Sequence, residues 1–447
     1  MRYNATFLRA AVVVAAIGCA ACGRSAQLPV AQGMGPTPAL PDPTTSLLPT
    51  IKIATAVGWA DTARPKVATG LDVNAFARGL EHPRWLYVLP NGDVLVAETN
   101  APKRPLDNQG IRGWFFKKFQ KKAGGAVPGA NRITLLRDAD GDGVAELKTA
   151  FLENLNSPFG MALIGNTFYV ANTDAVVSFP YNGGETKITA APTKVADLPG
   201  GRLNHHWTKS LIANAAGTRL YVGVGSNSNA AENGMEAEDE RAAILEIDPS
   251  TGLHRVYASG LRNPVGLAWE PVSGMLWTAV NERDELGSDL VPDYMTSVKD
   301  GGFYGWPYSY YGQHVDKRVE PPRPDLVAKA IVPDYALGPH TASLGLVWAQ
   351  GTSLPARYDG GMFVGQHGSW NRKPPSGYRV IFVPFANGKP SGEAVEVLTG
   401  FLNGDKSRGR PVGVAIDKRG TLLVADDVGN VVWRVGPSAI TATGRPD

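Results

Sequence analysis

The sequence predicts an all-β fold, and within that class a six-bladed β-propeller of four-stranded antiparallel blades. One hairpin pattern recurs along the chain, and no segment keeps a helical period over a long stretch. Gly and Pro are abundant, at 52 and 34 residues, and charged residues make up 19% of the chain. This composition suits many short strands joined by tight turns.

The recurring unit is an apolar strand, a glycine turn and a second strand that ends in a polar residue. Self-similar hairpins at long spacing are typical of propellers, and counting strong and weak copies gives about six blades. A β-sandwich with insertions is the main alternative fold, but it does not explain why the same hairpin pattern recurs in the same phase along the chain. The strong copies begin at Pro83, Pro158, Pro264 and Pro411, and the weaker ones at His206 and Ser343.

The amino terminus has the pattern of an export signal, because Arg2 and Arg9 flank the start of a short apolar core. Cys19 and Cys22 each loosely resemble a bacterial lipoprotein cleavage site, and ordinary signal cleavage is an equal alternative. We therefore expect an exported, periplasmic protein, with a lipid anchor to the membrane as one alternative. The chain divides into a signal peptide over 1–22, a Pro-rich flexible tether over 23–66, the propeller over 67–437 and a short tail over 438–447.

Two further stretches invite a functional interpretation. The stretch Ile111–Lys122 is the best helical candidate and could lie on a membrane surface, although a solvated surface insertion is preferred. Asp138, Asp140 and Asp142 place carboxylates on alternate residues, a spacing that suits calcium. An Asp/Gly-rich turn that needs no ion explains that loop equally well.

The acidic run Glu236–Glu240 is most simply a solvated face, and the net charge of +3 does not indicate a nucleic acid partner.

The polar ends of the inner hairpins would meet around the propeller channel, so a site is expected there. The adjacent His205 and His206 precede an apolar strand, and histidine suits proton transfer near neutral pH. The whole polar set is rich in His and Arg, which suits an anionic ligand and a proton-transfer step. The candidates are His206, Ser226, Asn227, Arg262, Asn263, Asn281, Glu282, His340, His367, Arg372, Arg408, Arg410 and Asp426.

Several of these stretches resemble the glucose/sorbosone dehydrogenase family, which are exported six-bladed propellers that use pyrroloquinoline quinone (PQQ). The resemblance runs from about Gly79 to Val435. It rests on Gly260-Leu-Arg-Asn-Pro264, on Gly301-Gly-Phe-Tyr-Gly-Trp-Pro307 and on His206 ahead of the strand Leu220–Gly225. The stretches Gln366–Arg372, Arg408–Val412 and Asn131–Gly143 are most similar to the sorbosone dehydrogenase branch.

The resemblance implies a role for several residues. His206 matches a general base that removes a proton from the substrate hydroxyl while hydride passes to the quinone. Arg262 matches an arginine that faces the quinone carbonyls and stabilises the developing oxyanion. Arg408 and Arg410 match a pair that binds the cofactor carboxylates. The other implied cofactor residues are Asn263, Asn371, Arg372 and Asp426, and the calcium ligands are Asn281 and Glu282. The expected substrate pocket comprises His205, Ser226, Asn227, His340, His367 and Trp306.

Two positions depart from the family pattern. Glucose oxidisers carry an aspartate that orients the base where this chain has Ser226, and an acid where it has His205. Both changes argue against glucose as the substrate. Orientation of His206 then falls to another group, such as Asn227 or a carboxylate that the sequence does not identify.

The sequence thus predicts a PQQ- and calcium-dependent dehydrogenase of an aldose or sugar aldehyde. The sequence contains no Gly-x-Gly-x-x-Gly turn, which argues against NAD as the cofactor. It also contains no Cys-x-x-Cys-His motif for the covalent attachment of haem. An external quinone or cytochrome is therefore expected to accept the electrons. The alternatives are a metal-dependent sugar lactonase-like hydrolase and a non-catalytic propeller that binds sugar or protein.

Overall fold

A computed structural model describes residues 25–44, 50–102 and 118–438. The predicted signal peptide with its two cysteines, and all but the first residue of the short tail, lie outside these ranges. Within them, six antiparallel sheets of four or more strands form the body of the protein. The prediction of an all-β propeller is confirmed at this level, and the sheets are called blades 1 to 6 below.

The first three blades each come from one continuous stretch of chain. Blade 1 contains Pro83–Val88, Val94–Glu98, Arg132–Arg137 and Leu147–Leu152; blade 2 contains Met161–Ile164, Thr167–Ala171, Ala175–Pro180 and Thr193–Asp197; and blade 3 contains Lys209–Ala213, Leu220–Val224, Ala243–Ile247 and His254–Ser259. In each blade the first two strands are the hairpin that the sequence repeat predicts.

The last blade is completed by a strand from the other end of the sequence. Blade 4 contains Pro264–Trp269, Leu276–Val280, Pro292–Ser297 and Tyr335–Pro339; blade 5 contains Ser343–Ala349, Gly361–Gln366, Arg379–Ala386 and Val395–Thr399; and blade 6 joins Pro411–Ile416, Leu422–Asp426 and Val431–Pro437 to Leu71–Arg78. This pairing links the start and the end of the propeller by backbone hydrogen bonds.

Short elements decorate the blades. The added strands are Met34–Gly35 on blade 4, Gly302–Phe303 on blade 3, and Lys66–Val67 and Lys389–Pro390 on blade 5; small separate sheets are formed by Thr55–Ala56, Leu402–Asn403 and Lys406–Ser407 and by Ser309–Tyr310 and His314–Val315. Helical turns occupy 118–123, Val30–Gly33, Met235–Glu238, Pro324–Val327 and Ala356–Tyr358. No helix of the described ranges is long and apolar enough to cross a membrane.

Apolar side chains fill the middle of the propeller. The first strands of the six blades contact one another in a closed ring. One residue near the start of each first strand belongs to a single buried cluster, and we call these six residues the channel plug: Trp85, Phe159, Trp207, Val265, Leu344 and Val412. The polar residues just before these strands therefore lie above an apolar floor.

The segment predicted to be a flexible tether packs on the propeller wherever the structure describes it. Met34–Gly35 pairs with the outer strand of blade 4, and Lys66–Val67 pairs with the outer strand of blade 5. The Trp59 ring meets Phe401 and Trp433 edge to face. The polar, Pro-rich composition of this segment does not predict such packing. A sheet edge offers backbone hydrogen-bond partners to an extended segment of any composition.

The insertion in blade 1 is only partly described. Residues 118–123 are helical, and Lys121 and Lys122 are exposed there. The rest of the predicted Ile111–Lys122 helix lies outside the described residues.

Candidate active site

His206 lies directly before the first strand of blade 3, where its ring is held by the next strand. Its Nδ1 lies 2.7 Å from the main-chain oxygen of Ser226 and 3.2 Å from the Ser226 hydroxyl. A carbonyl oxygen can only accept, so Nδ1 carries the proton and Nε2 keeps the lone pair of the neutral ring. A main-chain carbonyl thus orients the imidazole at the position where the family's glucose oxidisers use an aspartate.

Gly225, directly before Ser226, is packed closely against His206 and Asn263. A Cβ atom at Gly225 would come within 2.4 Å of the His206 Cβ and 2.3 Å of Asn263 Oδ1. The site therefore requires glycine at this position for reasons of space. Asn263 Oδ1 is buried and has no hydrogen-bond partner among the residues that the structure describes.

Arg262 is a buried guanidinium whose donors are fixed in advance. Nη1 donates to the Glu282 carbonyl at 2.8 Å and to both oxygens of Asn281 at 3.3 Å. Nη2 donates to Asn229 Oδ1 at 3.1 Å, and its distance to Asp284 Oδ2 is 3.7 Å. An arginine held on several sides keeps its positive charge in one place.

Asp284 joins several site residues, and the sequence analysis missed it. Its Oδ1 accepts a 2.6 Å hydrogen bond from Asn371 Nδ2 and lies 3.5 Å from His340 Nδ1. Burial works against ionisation, but the contacts with His340 and Arg262 lower the pKa of Asp284. Burial alone would lower the pKa of His340, yet the hydrogen bond and charge of Asp284 raise it. The structure thus brings Arg262, Asn371 and His340 together around Asp284, an acid that was not among the predicted site residues.

Trp306 acts on this cluster through Asn229. Its indole Nε1 donates to the Asn229 carbonyl at 2.9 Å, and Asn229 Oδ1 accepts from Arg262 and from the Asp284 main chain. Trp306 is 2% exposed, so it supports the wall of the site from behind and offers little surface to a substrate.

Arg410 is a second buried arginine, and two of its nitrogens donate no hydrogen bond to the described residues. It is 3% exposed, and its Nη1 donates to the Gly368 carbonyl at 3.2 Å and to the His367 carbonyl at 3.4 Å. Within the described residues its Nε and Nη2 make no hydrogen bond, although a buried guanidinium N–H without an acceptor is costly. The guanidinium also lies over the Tyr378 ring, 4.7 Å from its centroid.

Asp427 holds a cluster of one arginine and two histidines beside Arg410. Its Oδ2 accepts from Arg84 at 2.7 Å and lies 2.9 Å from His367 Nε2 and 3.7 Å from His82 Nε2. These neighbours hold the pKa of Asp427 far below its usual range in spite of burial. The Arg84 guanidinium also lies over the Trp207 ring of the channel plug, 5.9 Å from its centroid, so the cluster reaches the channel.

The cluster gives a prediction for the dependence of stability on pH. Burial lowers the pKa of His82 from 6.5 to about 4, so the unfolded chain binds a proton that the folded chain does not. Stability is therefore present above pH 6.5 and is lost as the pH falls towards about 4. We expect His82→Asn to remove about 2 to 3 kcal/mol of the difference in unfolding free energy between pH 7 and pH 4.5.

Urea unfolding at the two pH values measures this effect, with His254→Asn as the matched control. Asparagine tolerates the left-handed backbone of residue 82, whose φ is 56°, and it can still donate to the Asp427 carbonyl. His254 is instead paired with Glu240 near the surface, at 3.1 Å. An unchanged pH dependence in His82→Asn would show that another group titrates.

Three predicted cofactor residues have their main interactions elsewhere. Asp426 accepts four hydrogen bonds, from Trp59, Trp433 and the main chains of Arg410 and Gly429, and burial raises its pKa to about 6. Arg408 is half-exposed and lies over the Trp59 ring, 5.9 Å from its centroid. Arg372 donates to the carbonyls of Leu28 and Pro374. Asn371 and Arg372 are neighbours in the chain, yet Asn371 binds Asp284 in the site while Arg372 binds Leu28, Pro374 and Asp289.

The remaining pocket candidates lie around His206. His205 is half-buried beside it. Asn227 donates to the Ala237 carbonyl at 2.7 Å, and its Oδ1 is buried without a partner. Asn227 is therefore bound away from the His206 ring, which the Ser226 carbonyl orients instead.

The predicted metal ligands lie in two separate places. At the turn of Asn281 and Glu282, the main-chain oxygens accept from Arg262, and Glu282 Oε2 accepts from Arg283 Nε at 3.1 Å. Asp138, Asp140 and Asp142 lie with Glu146 on a hairpin turn of blade 1, where one oxygen of each comes within 4.8 Å of the others. These oxygens also accept main-chain N–H groups of their own loop. Calcium binding there remains a prediction.

The fold and this arrangement define a β-propeller protein with a basic, histidine-containing site at one end of a plugged channel. The model of the TrAA12-like family matches residues 126–298 and 327–437. The chain therefore belongs to this family. The resemblance to PQQ-dependent sugar dehydrogenases is confirmed, whereas the sorbosone branch stays a prediction.

Two curated proteins are similar in sequence to much of this chain. An uncharacterised protein of Borreliella burgdorferi is 27% identical over 294 residues, covering 63% of this chain and 76% of that one. A PQQ-dependent pyranose dehydrogenase of Coprinopsis cinerea is 24% identical over 361 residues, covering 71% of this chain. The match spans only 44% of that fungal enzyme's own length.

Two solved structures share the fold of this chain. Their sequence identities to it are too low to show more than the fold. The holo form of the PQQ domain of the Coprinopsis cinerea pyranose dehydrogenase superposes with a TM-score of 0.66 at 20% identity, covering 86% of this chain and all of that one. A calcium structure of the Trichoderma reesei AA12 enzyme gives a TM-score of 0.67 at 19% identity, covering 84% and 97%.

Proposed function

We propose that the protein is an exported PQQ-dependent dehydrogenase that oxidises an aldose or a sugar aldehyde on a six-bladed propeller. One observation carries the proposal: oriented and unsatisfied polar groups surround the channel above the plug. His206 and Arg262 are fixed by hydrogen bonds, while Asn263 Oδ1 and two nitrogens of Arg410 are buried without hydrogen-bond partners in the described part of the chain.

The residues present fit an anionic, planar cofactor such as PQQ. The unpaired Nε and Nη2 of Arg410 suit a carboxylate, and the amide oxygen of Asn263 offers a further polar contact. Arg84, held by Asp427, has an unpaired Nε in the same region. A lactonase-like metal site would instead call for converging acids, whereas Asp284 and Asp427, the acids beside Arg262 and Arg410, are paired with arginines and histidines.

The chemistry of the chain follows from the two fixed groups. PQQ, when bound, supplies a quinone that accepts a hydride. The Nδ1–H of His206 is anchored to the Ser226 carbonyl, so Nε2 is the atom that takes the proton from the hydroxyl of the sugar or of the hydrated sugar aldehyde. Arg262 stabilises negative charge with a guanidinium that needs no reorganisation, because it is already held in place. An external quinone or cytochrome would then take the electrons.

Calcium at Asn281 and Glu282 is not supported by the donor set. Both main-chain oxygens already accept from Arg262, and the Glu282 side chain is paired with Arg283. A cation would have to displace a guanidinium from these oxygens. The proposed reaction therefore uses no metal at this turn.

The decisive experiment is a PQQ titration of the purified protein with dye reduction over a panel of aldoses and sugar aldehydes. We expect binding and PQQ-dependent activity in the wild type. We expect Arg410→Met to weaken PQQ binding by about 10- to 100-fold, because charge-assisted hydrogen bonds to a carboxylate are lost. Arg323→Met is the matched control, since Arg323 pairs with Asp325 on the surface at 2.7 Å.

Two results would contradict the proposal. A wild-type protein that neither binds PQQ nor reduces dye with it is not such a dehydrogenase. Equal PQQ affinity in Arg410→Met and the wild type would remove Arg410 from the cofactor site.

A further inference from the structure

Glu238 is a buried carboxylate beneath the loop that follows the second strand of blade 3. The sequence analysis assigned the whole run of Glu236–Glu240 to a solvated face, and for Glu238 this is wrong. Glu238 is 4% exposed, while Glu236 on the same helical turn is exposed. The acidic composition of the run concealed this difference, because only the folded turn directs one of its carboxylates inwards.

Both oxygens of Glu238 bind the loop 226–229. Oε2 accepts the main-chain N–H of Asn227 at 2.7 Å, and Oε1 accepts the hydroxyl of Ser228 at 2.5 Å. Ser228 Oγ in turn accepts the N–H of Ala231 at 2.9 Å. The carboxylate therefore fixes the loop at two successive residues.

The same loop holds both reacting groups of the proposed site. At one end, the Ser226 carbonyl accepts from His206 Nδ1, and the Ser226 hydroxyl donates to the Ser228 carbonyl at 2.7 Å. At the other end, Asn229 Oδ1 accepts from Arg262 Nη2. The loop that Glu238 fixes is thus the common support of His206 and Arg262.

The next basic residue strengthens this support. Arg241 donates to the Gly225 carbonyl at 3.2 Å and to the carbonyls of Pro199 and Gly200 at 2.9 and 2.8 Å. Glu238 and Arg241 therefore bind successive main-chain groups on the two sides of Ser226. A rigid support matters because the direction of the His206 ring depends on a main-chain oxygen, which moves with its loop.

We propose that Glu238 is a positioning residue that, through the loop 226–229, sets the orientation of His206 and Arg262. This inference rests on the proposed function for the roles of those two residues. It gives this chain a carboxylate that acts on the base indirectly, in place of the aspartate of the glucose oxidisers.

The test reads the His206 ring in the full chain without cofactor or substrate. Nitrogen-15 histidine NMR follows the Nδ1–H proton of His206 and its exchange with water. We expect Glu238→Ala to speed that exchange by about tenfold or more, because the loop opens more often. Glu238→Gln keeps an acceptor oxygen for Asn227, so its exchange rate should lie between those of the alanine variant and the wild type. Glu236→Ala, the matched control, should match the wild type.

Activity gives the second measurement. With PQQ bound, we expect Glu238→Ala to lower kcat by about 10- to 100-fold while KM changes little, as for residues that orient a reacting group. If Glu238→Ala does not fold, the glutamine variant carries the test. Wild-type exchange at His206 in every folded variant of Glu238 would overturn the inference. A faster exchange in a protein that lacks dehydrogenase activity would overturn the proposed function and leave the support of the His206 ring intact.

Discussion

Replacing His206 by alanine is expected to lower kcat for sugar oxidation by about 10²- to 10⁴-fold, the range for loss of a general base. The reason is geometric: the Ser226 carbonyl takes Nδ1–H at 2.7 Å, so Nε2 is the basic atom and has a fixed direction. Affinity for PQQ should stay within a few-fold, because Arg262, Asn263 and Arg410 remain. Stopped-flow reduction of the bound quinone by sugar measures the chemical step, and a PQQ titration measures the affinity.

His314→Ala is the matched control for this experiment. His314 lies on an exposed hairpin and stacks on Tyr310 with ring centroids 5.6 Å apart, so its loss should leave kcat unchanged. Addition of imidazole should restore part of the activity of His206→Ala if the missing group is a base. A His206→Ala protein that binds PQQ and turns over at the wild-type rate would show that another group removes the proton.

Removing the Asp427 carboxylate should have the largest effect on stability. We expect Asp427→Ala to lower the free energy of unfolding by about 3 to 5 kcal/mol, because a buried cation loses its counter-charge. Arg84 lies 2.7 Å from this carboxylate with its side chain 13% exposed, and His82 and His367 face the same oxygen. Urea unfolding at pH 7 measures the loss.

The control and the pH dependence separate this effect from a general loss of charge. Asp405→Ala breaks the exposed pair with Lys52, and a surface pair contributes at most about 1 kcal/mol. The pKa of Asp427 lies below its unfolded value, so its contribution is present at neutral pH and is lost as the pH falls below about 4. Equal losses in the two variants at pH 7 would contradict the structural role of the cluster.

The fold could be predicted from sequence because its signals are local. Each hairpin from Pro83 to Pro411 carries its own alternation and its own glycine turn, so six similar units could be recognised in one pass. His206 and Arg262 became candidates for a related reason, since each stands shortly before a strand within a distinctive motif. The tether over 23–66 was misjudged because its partners, such as the edge strand Tyr335–Pro339, are distant in the sequence.

The rest of the site could not be predicted because its carboxylates act across long separations. Asp427 meets His82 from 345 residues away and His367 from 60, and no local pattern marks such pairs. Asp284 and Glu238 look like ordinary surface acids until the fold buries them. Side-chain direction could not be predicted either, since Arg372 and Arg408 adjoin Asn371 and Arg410 in the sequence but make their described contacts with Leu28, Pro374 and Trp59.

The strand exchange in blade 6 has a consequence for how the protein folds. Leu71–Arg78 is synthesised before every other strand of the six blades, yet its partner Val431–Pro437 is synthesised last among them. Until the two meet, the early strand presents an unpaired edge, and closing so long a loop is slow. The ring therefore cannot close until Val431–Pro437 has been synthesised, and the early blades must remain soluble until then. A circular permutation that places Leu71–Arg78 after Pro437 would make blade 6 a local unit and should shorten that delay.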